Sequence, residues 1–418
     1  MDTETETVEK DSTFAIFLLP LELQRLVLLF ALNNGTSPTT LFTLSPHLYP
    51  HVLSLLYSHV DISSRKQLQS FLSTTSGSHK YAKDHARSFT LNVAGVPGGN
   101  TLGGRESTPG SPAQGRQLDD RLLLASKAMQ LCPKLEHCSL RMFGVRHSSL
   151  LTSNDYITEE ANAFRSALSE LKHLKSFSWT TAKEDVGSVG FSVAVVDLIF
   201  EPLIEGLEEA ALDIDLDGRR IVRTRGDSLR YYHPLEEITL HHCIFPSNQG
   251  KPFFQLFTKT HPDDSSFLLF PRLTLVCIRK ATNVSPVNVA FLALFWQILL
   301  DKGSSSTTSL QPINWDPVLV MEDVYVGSIW GPRMVDDLIQ QEMEHLVEAS
   351  LVEEQGKMTS SNVYIRALEE SVEMGVKLDA ELSTFVRSMQ QWQRDDLIRK
   401  ACNRVDIKHI EGSIASYQ

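Results

Sequence analysis

The chain has 418 residues, 42% of them apolar and 22% charged, with a formal net charge of −12. This is enough apolar content for one large core or a few smaller ones, and too balanced a mix for a disordered or membrane class. The acidic balance excludes nucleic acid and anionic membrane surfaces as default partners, because both demand a basic footprint.

The opening "MDTETETVEKD" is acidic, and the apolar stretch behind it is broken by Pro20, Glu22, Gln24 and Arg25, so it does not read as a secretory signal. That stretch, "LPLELQRLVLLFAL" (19–32), reads as a short helix. Pro20 suits the first turn, where its missing N–H costs nothing, and Glu22 suits the positive end of the helix dipole. Leu23, Leu26, Val27 and Phe30 fall at i, i+3, i+4 and i+7 and make one apolar face. Leu21, Leu28, Leu29 and Leu32 fill much of the remainder, so the helix has more apolar surface than one core can cover. Next comes "PTTLFTLSPHLYPHVLSLLYSHVDI" (38–62), with Pro38 and Thr39 as a helix start and Ser45-Pro46 as a break. It continues into another short apolar helix through Leu53, Leu56 and Tyr57, and then into the extended "HVDIS". A bundle this small has about one internal face per helix, and a partner protein is the economical cover for the surplus.

This segment, about residues 18 to 63, resembles the F-box of the divergent fungal F-box proteins. Leu19, Pro20, Glu22 and Leu23 match the opening of that motif, Leu41, Leu44 and Ser45 its middle, and Leu55, Leu56, Tyr57, His59 and Val60 its exit into a strand. The resemblance implies a module at 14–63 that docks on a Skp-type adaptor of a cullin-RING ubiquitin ligase. Leu19, Pro20, Leu21, Glu22, Leu23, Leu28, Leu41 and Leu44 are then the expected contacts. The alternative is a helical cap on a larger core.

Over residues 64–330 the pattern L-x-x-φ-x-φ recurs: "LEHCSL" (135–140), "LKSFSW" (174–179), "LEEAAL" (207–212), "LEEITL" (235–240), "LTLVCI" (273–278) and "LQPINW" (310–315), with "ARSFTL" (86–91) a weaker first copy. Each hexamer predicts a short strand with one buried face. Helical stretches precede several copies: "DDRLLLASKAMQLCPK" (119–134), "EEANAFRSALSELKH" (159–173) and "VVDLIFEPLIEG" (195–206). Helix, loop and strand in this order make the leucine-rich-repeat unit, which buries its face only by stacking. "LEEITLHHC" comes closest, with Cys243 at the bend position. The copies start 28 to 49 residues apart, so the repeat is irregular and carries insertions. "GLEEAALDIDLDGRRIVRTR" (206–225) shows one, a hairpin signal at Asp217-Gly218. F-box followed by such repeats again resembles F-box/leucine-rich-repeat proteins, in which the repeats recruit substrate. An ordinary α/β domain with several buried strands is the competing reading.

"AGVPGGNTLGGRESTPGSPAQGRQ" (94–117) holds seven glycines and three prolines and predicts a disordered surface loop. Its Thr108-Pro109 and Ser111-Pro112 are turn formers first and phosphorylation candidates second. "VAFLALFWQILL" (289–300) stops at Asp301, short of the roughly 18 apolar residues of a membrane span. From 331 to 418 the chain reads as a helical C-terminal cap. Ile339, Met343, Leu346 and Val347 form one stripe there, and Leu382, Phe385, Val386 and Met389 another.

The five cysteines are few, odd in number and form no C-x-x-C pair, which fits a reducing compartment rather than a disulfide framework or a zinc site. "GDSL" (226–229) and "DIKH" (406–409) imitate a serine hydrolase with Ser228 as nucleophile, but the blocks an oxyanion hole would need are missing. "DIDLDG" (213–218) starts a calcium loop whose twelfth position is Thr224 instead of Glu. "HHC" (241–243) lies on a strand, where neighbours point to opposite faces. The expectation is a non-enzymatic cytoplasmic or nuclear protein without cofactor or metal: an α/β chain with an F-box-like module, an irregular leucine-rich-repeat-like solenoid and a helical cap. Its expected partners are a Skp-type adaptor and a protein substrate that the sequence does not name.

Overall fold

Eight short stretches, six of them alternating apolar and polar residues, line up as one parallel sheet in the computed structural model. The structure describes residues 16–75, 81–92, 123–142, 159–181, 234–243, 272–305, 315–326, 331–352 and 380–409, with short pieces between 151 and 157 and between 245 and 270. The strands are β1 (His59–Ile62), β2 (Ser88–Asn92), β3 (His137–Met142), β4 (Ser176–Thr181), β5 (Glu237–His241), β6 (Leu275–Arg279), β7 (Val318–Glu322) and β8 (Val405–Lys408). Each pairs in parallel with the next along the chain, so spatial order equals chain order.

The register aligns the repeats residue by residue. Phe89, Cys138, Phe177, Ile238, Val276, Leu319 and Val405 form one buried row, and Leu91, Leu140, Trp179, Leu240, Ile278 and Met321 the next. Parallel sheets covered on both faces read as continuous apolar runs. Six of these strands alternate instead, since among the described residues the helices pack on one face; β6 (LVCIR) and β7 (VLVME) stay largely apolar on both sides, and Cys277 on the other face is itself buried. At the strand starts the carbonyls of Arg87, Glu136, Lys175 and Glu236 each accept two N–H groups from the next strand, at 2.7 to 3.1 Å. At the strand ends His242, Lys280 and Asp323 occupy equivalent positions, with φ of 57°, 49° and 52°. Each turns the chain out of the sheet in the left-handed region and donates its N–H to the neighbouring strand's last carbonyl.

The helix at 123–130 and the helix Glu159–Ser169 supply Ala125, Ala128, Met129, Phe164, Ala167 and Leu168 to the core. The helix Pro286–Ser305 is buried on every side from Val289 to Ile298, because it lies between the sheet and the helices Asp336–Val352 and Gln391–Cys402. That explains its apolar character all round. Among the described residues no helix is long and apolar enough to cross a membrane.

Two expectations are corrected. Of the copy at 310–315 only Trp315 is described, and it lies outside the strand: it is buried and donates its indole N–H to the Leu273 carbonyl at 3.0 Å, and the sheet strand follows at Val318–Glu322. The region 331–418 is more than a helical cap, since after Asp336–Val352, Ala380–Ser388 and Gln391–Cys402 it adds β8 to the sheet. The copy at 207–212, the helix at 195–206, the Asp217-Gly218 hairpin and the loop at 94–117 lie outside the described residues.

Candidate partner-docking surface

Three helices precede the sheet: α1 (Leu21–Asn33), α2 (Pro38–Leu44) and α3 (Tyr49–Ser58). Pro20 stands just before α1 and Glu22 in its first turn; Pro38 opens α2, and Pro50 sits in the first turn of α3, so no proline interrupts a helix. Leu28, Leu41, Leu48 and Val52 form a small core of their own, separate from the core under the sheet. Leu55 and Leu56 pack on that small core, whereas Tyr57 and Val60 pack on the large one, so the segment 55–60 joins the two. The Tyr57 and Tyr81 rings meet across the junction with centroids 5.8 Å apart.

The inward face of α1 carries Gln24, Leu28, Ala31 and Leu32, and Gln24 donates from Nε2 to the Leu19 carbonyl at 2.8 Å. The face with Leu23, Leu26, Val27 and Phe30 points to solvent, with Leu26 58% and Phe30 72% exposed. The more apolar of the two faces is thus the uncovered one. Leu18, at 85%, and Leu44, at 60%, are exposed as well.

The expected contact residues divide between these surfaces. Pro20, Leu21, Glu22, Leu23 and Leu44 are exposed, and Leu19 is half-buried. Leu28 and Leu41, at 1% and 4% exposure, are instead buried in the small core that holds the three helices together. Leu26, Val27 and Phe30, which the helical spacing singled out but the motif match did not, are the apolar side chains exposed beside Leu23.

The open face of the sheet is a second candidate surface. Thr90, Ser139, Ser178, Thr239, Cys277 and Val320 align along its middle, and Asn92, Arg141, Thr180, His241, Arg279, Glu322 and Lys408 along the strand ends. Arg279 contacts the Cys277 sulfur through Nε at 3.2 Å and pairs with Glu322 at 3.1 Å; Lys408 pairs with Asp406 at 2.7 Å. Burial pushes the His241 imidazole down to about 4, helped by the nearby charges of Lys280, Arg279 and Arg141. At the strand starts Glu136 lies 2.7 Å from Lys175 and 3.6 Å from Arg87, and its hydrogen bond to Lys175 holds the carboxyl below its ordinary range. Arg87, Glu136, Lys175 and Glu236 occupy the same position of successive repeats, an alternation of sign that the sequence carries in the residue after each leading apolar position.

Of the strings that imitate catalytic or metal sites, those among the described residues assemble no site. Asp406 is on the open face with Lys408, and His409 follows β8; Ser228 and the calcium-like string at 213–218 lie outside the described residues. Cys243 sits at the bend after β5 with its Sγ 3.6 Å from the His241 carbonyl. Cys132 and Cys138 are buried thiols that desolvation pushes up to about 12, which leaves them protonated and inert. Among the described residues no three His, Cys, Asp or Glu side chains are placed to hold a metal ion. No protein-family model matches the chain, and no curated protein is similar to it in sequence.

Proposed function

We infer that this protein is a non-catalytic, substrate-recruiting subunit of a cullin-RING ubiquitin ligase. On this reading the helices α1 to α3 are an F-box-like module that binds a Skp-type adaptor, and the rest is an irregular leucine-rich-repeat-like solenoid that binds a protein substrate. The observation that carries the reading is the inverted helix α1, whose more apolar face (Leu23, Leu26, Val27, Phe30) is turned away from its own core. Such a face on a module with a separate core supports docking onto another protein. The parallel sheet, with its strands in chain order and one polar face open, supports the repeat reading.

The test is calorimetric titration of a purified Skp-type adaptor with the wild type and with Leu26→Ala/Phe30→Ala. Buried interface anchors are each worth about 2 kcal/mol on truncation, so the pair should weaken binding by roughly a thousandfold. Both side chains are exposed, so the thermal melt should stay where it is. A wild-type protein that binds no Skp-type adaptor overturns the proposal.

A further inference from the structure

We propose that the open face of the sheet seats an extended acidic peptide, lying across β3 to β8 near the ends of the strands. As an assignment of substrate class this rests on the recruiting role above; as a binding site it stands on its own geometry.

The floor favours an extended chain. From β2 to β5 the middle row is made of small side chains, Thr90, Ser139, Ser178 and Thr239, all half-buried; at β6 the Arg279 side chain lies over the buried Cys277. A backbone can approach there and meet hydroxyl donors. Strands about 4.8 Å apart make the distance from β3 to β8 about 24 Å, the length of about seven extended residues at about 3.3 Å each.

Charge selects the ligand. The chain as a whole is acidic, with a net charge of −12. Yet among the described residues the strand-end side of this face gathers Arg141 on β3, Arg279 on β6, Lys280 just after it and Lys408 on β8, against Glu322, Asp406 and the buried Asp323. Glu322 pairs with Arg279 and Asp406 with Lys408, which leaves Arg141 and Lys280 as the cations in excess. Arg141 and Arg279 are exposed. The His241 imidazole, between β3 and β6, registers the positive field of Arg141, Arg279 and Lys280. Carboxylates on alternate residues of an extended peptide recur about every 6.6 Å along one side, close enough to reach successive cations across the strands. The opposite, strand-start side alternates in sign, with Glu136 already paired to Lys175 and Arg87, so it offers an acidic chain no comparable run of cations.

Fluorescence anisotropy on the full chain tests the site with three fluorescein-labelled heptapeptides: alternating Glu and Ala, alternating Gln and Ala, and alternating Lys and Ala. The Glu peptide should bind at least about tenfold more tightly than the other two at low salt, and its advantage should shrink as salt screens the exposed charges. Arg141→Glu/Arg279→Glu should cost at least about tenfold. The milder Arg141→Gln/Lys280→Gln should cost less and melt like the wild type, which separates lost binding from lost fold. Equal binding of the Glu and Gln peptides overturns the site, as does no binding of the Glu peptide or an unchanged affinity in variants that melt normally. Adaptor affinity measured on the same preparation keeps the two proposals apart. Peptide binding without adaptor binding removes the recruiting role and leaves the site, and adaptor binding without peptide binding does the reverse.

Discussion

His241 couples the cationic side of the open face to stability. An ordinary histidine titrates near 6.5, and this one is held down to about 4 by burial and by the charges around it. Between those values the unfolded chain binds a proton that the folded chain does not, so unfolding at pH 5 takes up about one proton at this site. Stability therefore falls as the pH drops from about 6.5 toward 4, and the site contributes fully only above that window. Water still reaches part of the ring, so the loss between pH 7 and pH 5 should be about 1 kcal/mol after screening. His241→Gln should remove that share. Denaturant melts of both proteins at pH 7, 6 and 5 give the double difference, in which carboxylates common to both cancel. Parallel pH curves would show that His241 is not the cause.

At the level of single elements, α1 shows what a sequence makes legible and what it hides. The spacing of Leu23, Leu26, Val27 and Phe30 marked an apolar face, and the leucines around it marked a surplus. Which face turns inward depends on where Leu41, Leu48 and Val52 arrive from α2 and α3, and no periodicity within α1 contains that. Leu28 and Leu41 were therefore expected at a partner and are found in a core. The strands were easier to read because alternation is local: four of the hexamers, with "ARSFTL", end in sheet strands. Trp315, the last position of the copy at 310–315, is buried like a strand residue but lies outside the sheet, and β8 stayed hidden inside a string read as a catalytic mimic. The separate core makes the difference between the two faces measurable. Leu28→Ala should cost about 2 to 3 kcal/mol, and Leu26→Ala less than about 0.5 kcal/mol. Because the small core is distinct, amide hydrogen exchange in Leu28→Ala should accelerate across α1 to α3 and stay near wild type in β4 to β6. Uniform acceleration would mean that the helices and the sheet unfold as one unit.

For the whole molecule the decisive contact joins the C-terminal helices to the middle of the chain. A one-sided sheet stacks its strands in chain order, so its last members have a neighbour on one side only and need an end structure. Residues 336–408 supply it twice over. The helices Asp336–Val352 and Gln391–Cys402 cover Pro286–Ser305, with Ile339, Met343, Leu346, Val347, Leu397 and Ile398 all buried, and β8 pairs with β7. Arg404 ties the two layers, donating from Nε to Gln297 at 2.9 Å and from Nη1 to the Pro317 carbonyl at 3.1 Å. Ending the chain after Val335 would uncover a helix that is apolar on every side, and the product should aggregate on expression or bind a hydrophobic dye strongly. Ending it after Arg404 removes β8 with the residues that follow it, 409–418, and keeps the helical cover. That shorter deletion should stay soluble and melt lower, since β7 loses one of its two backbone partners while Trp296 and its neighbours remain enclosed. Size-exclusion chromatography and thermal melts of the two truncations decide between this order of effects and its opposite. If the deletion after Val335 folds cooperatively as a monomer, the C-terminal helices are an appendage and the sheet closes without them. If the deletion after Arg404 aggregates as badly, the edge strand and not the helical layer is what protects the end of the sheet.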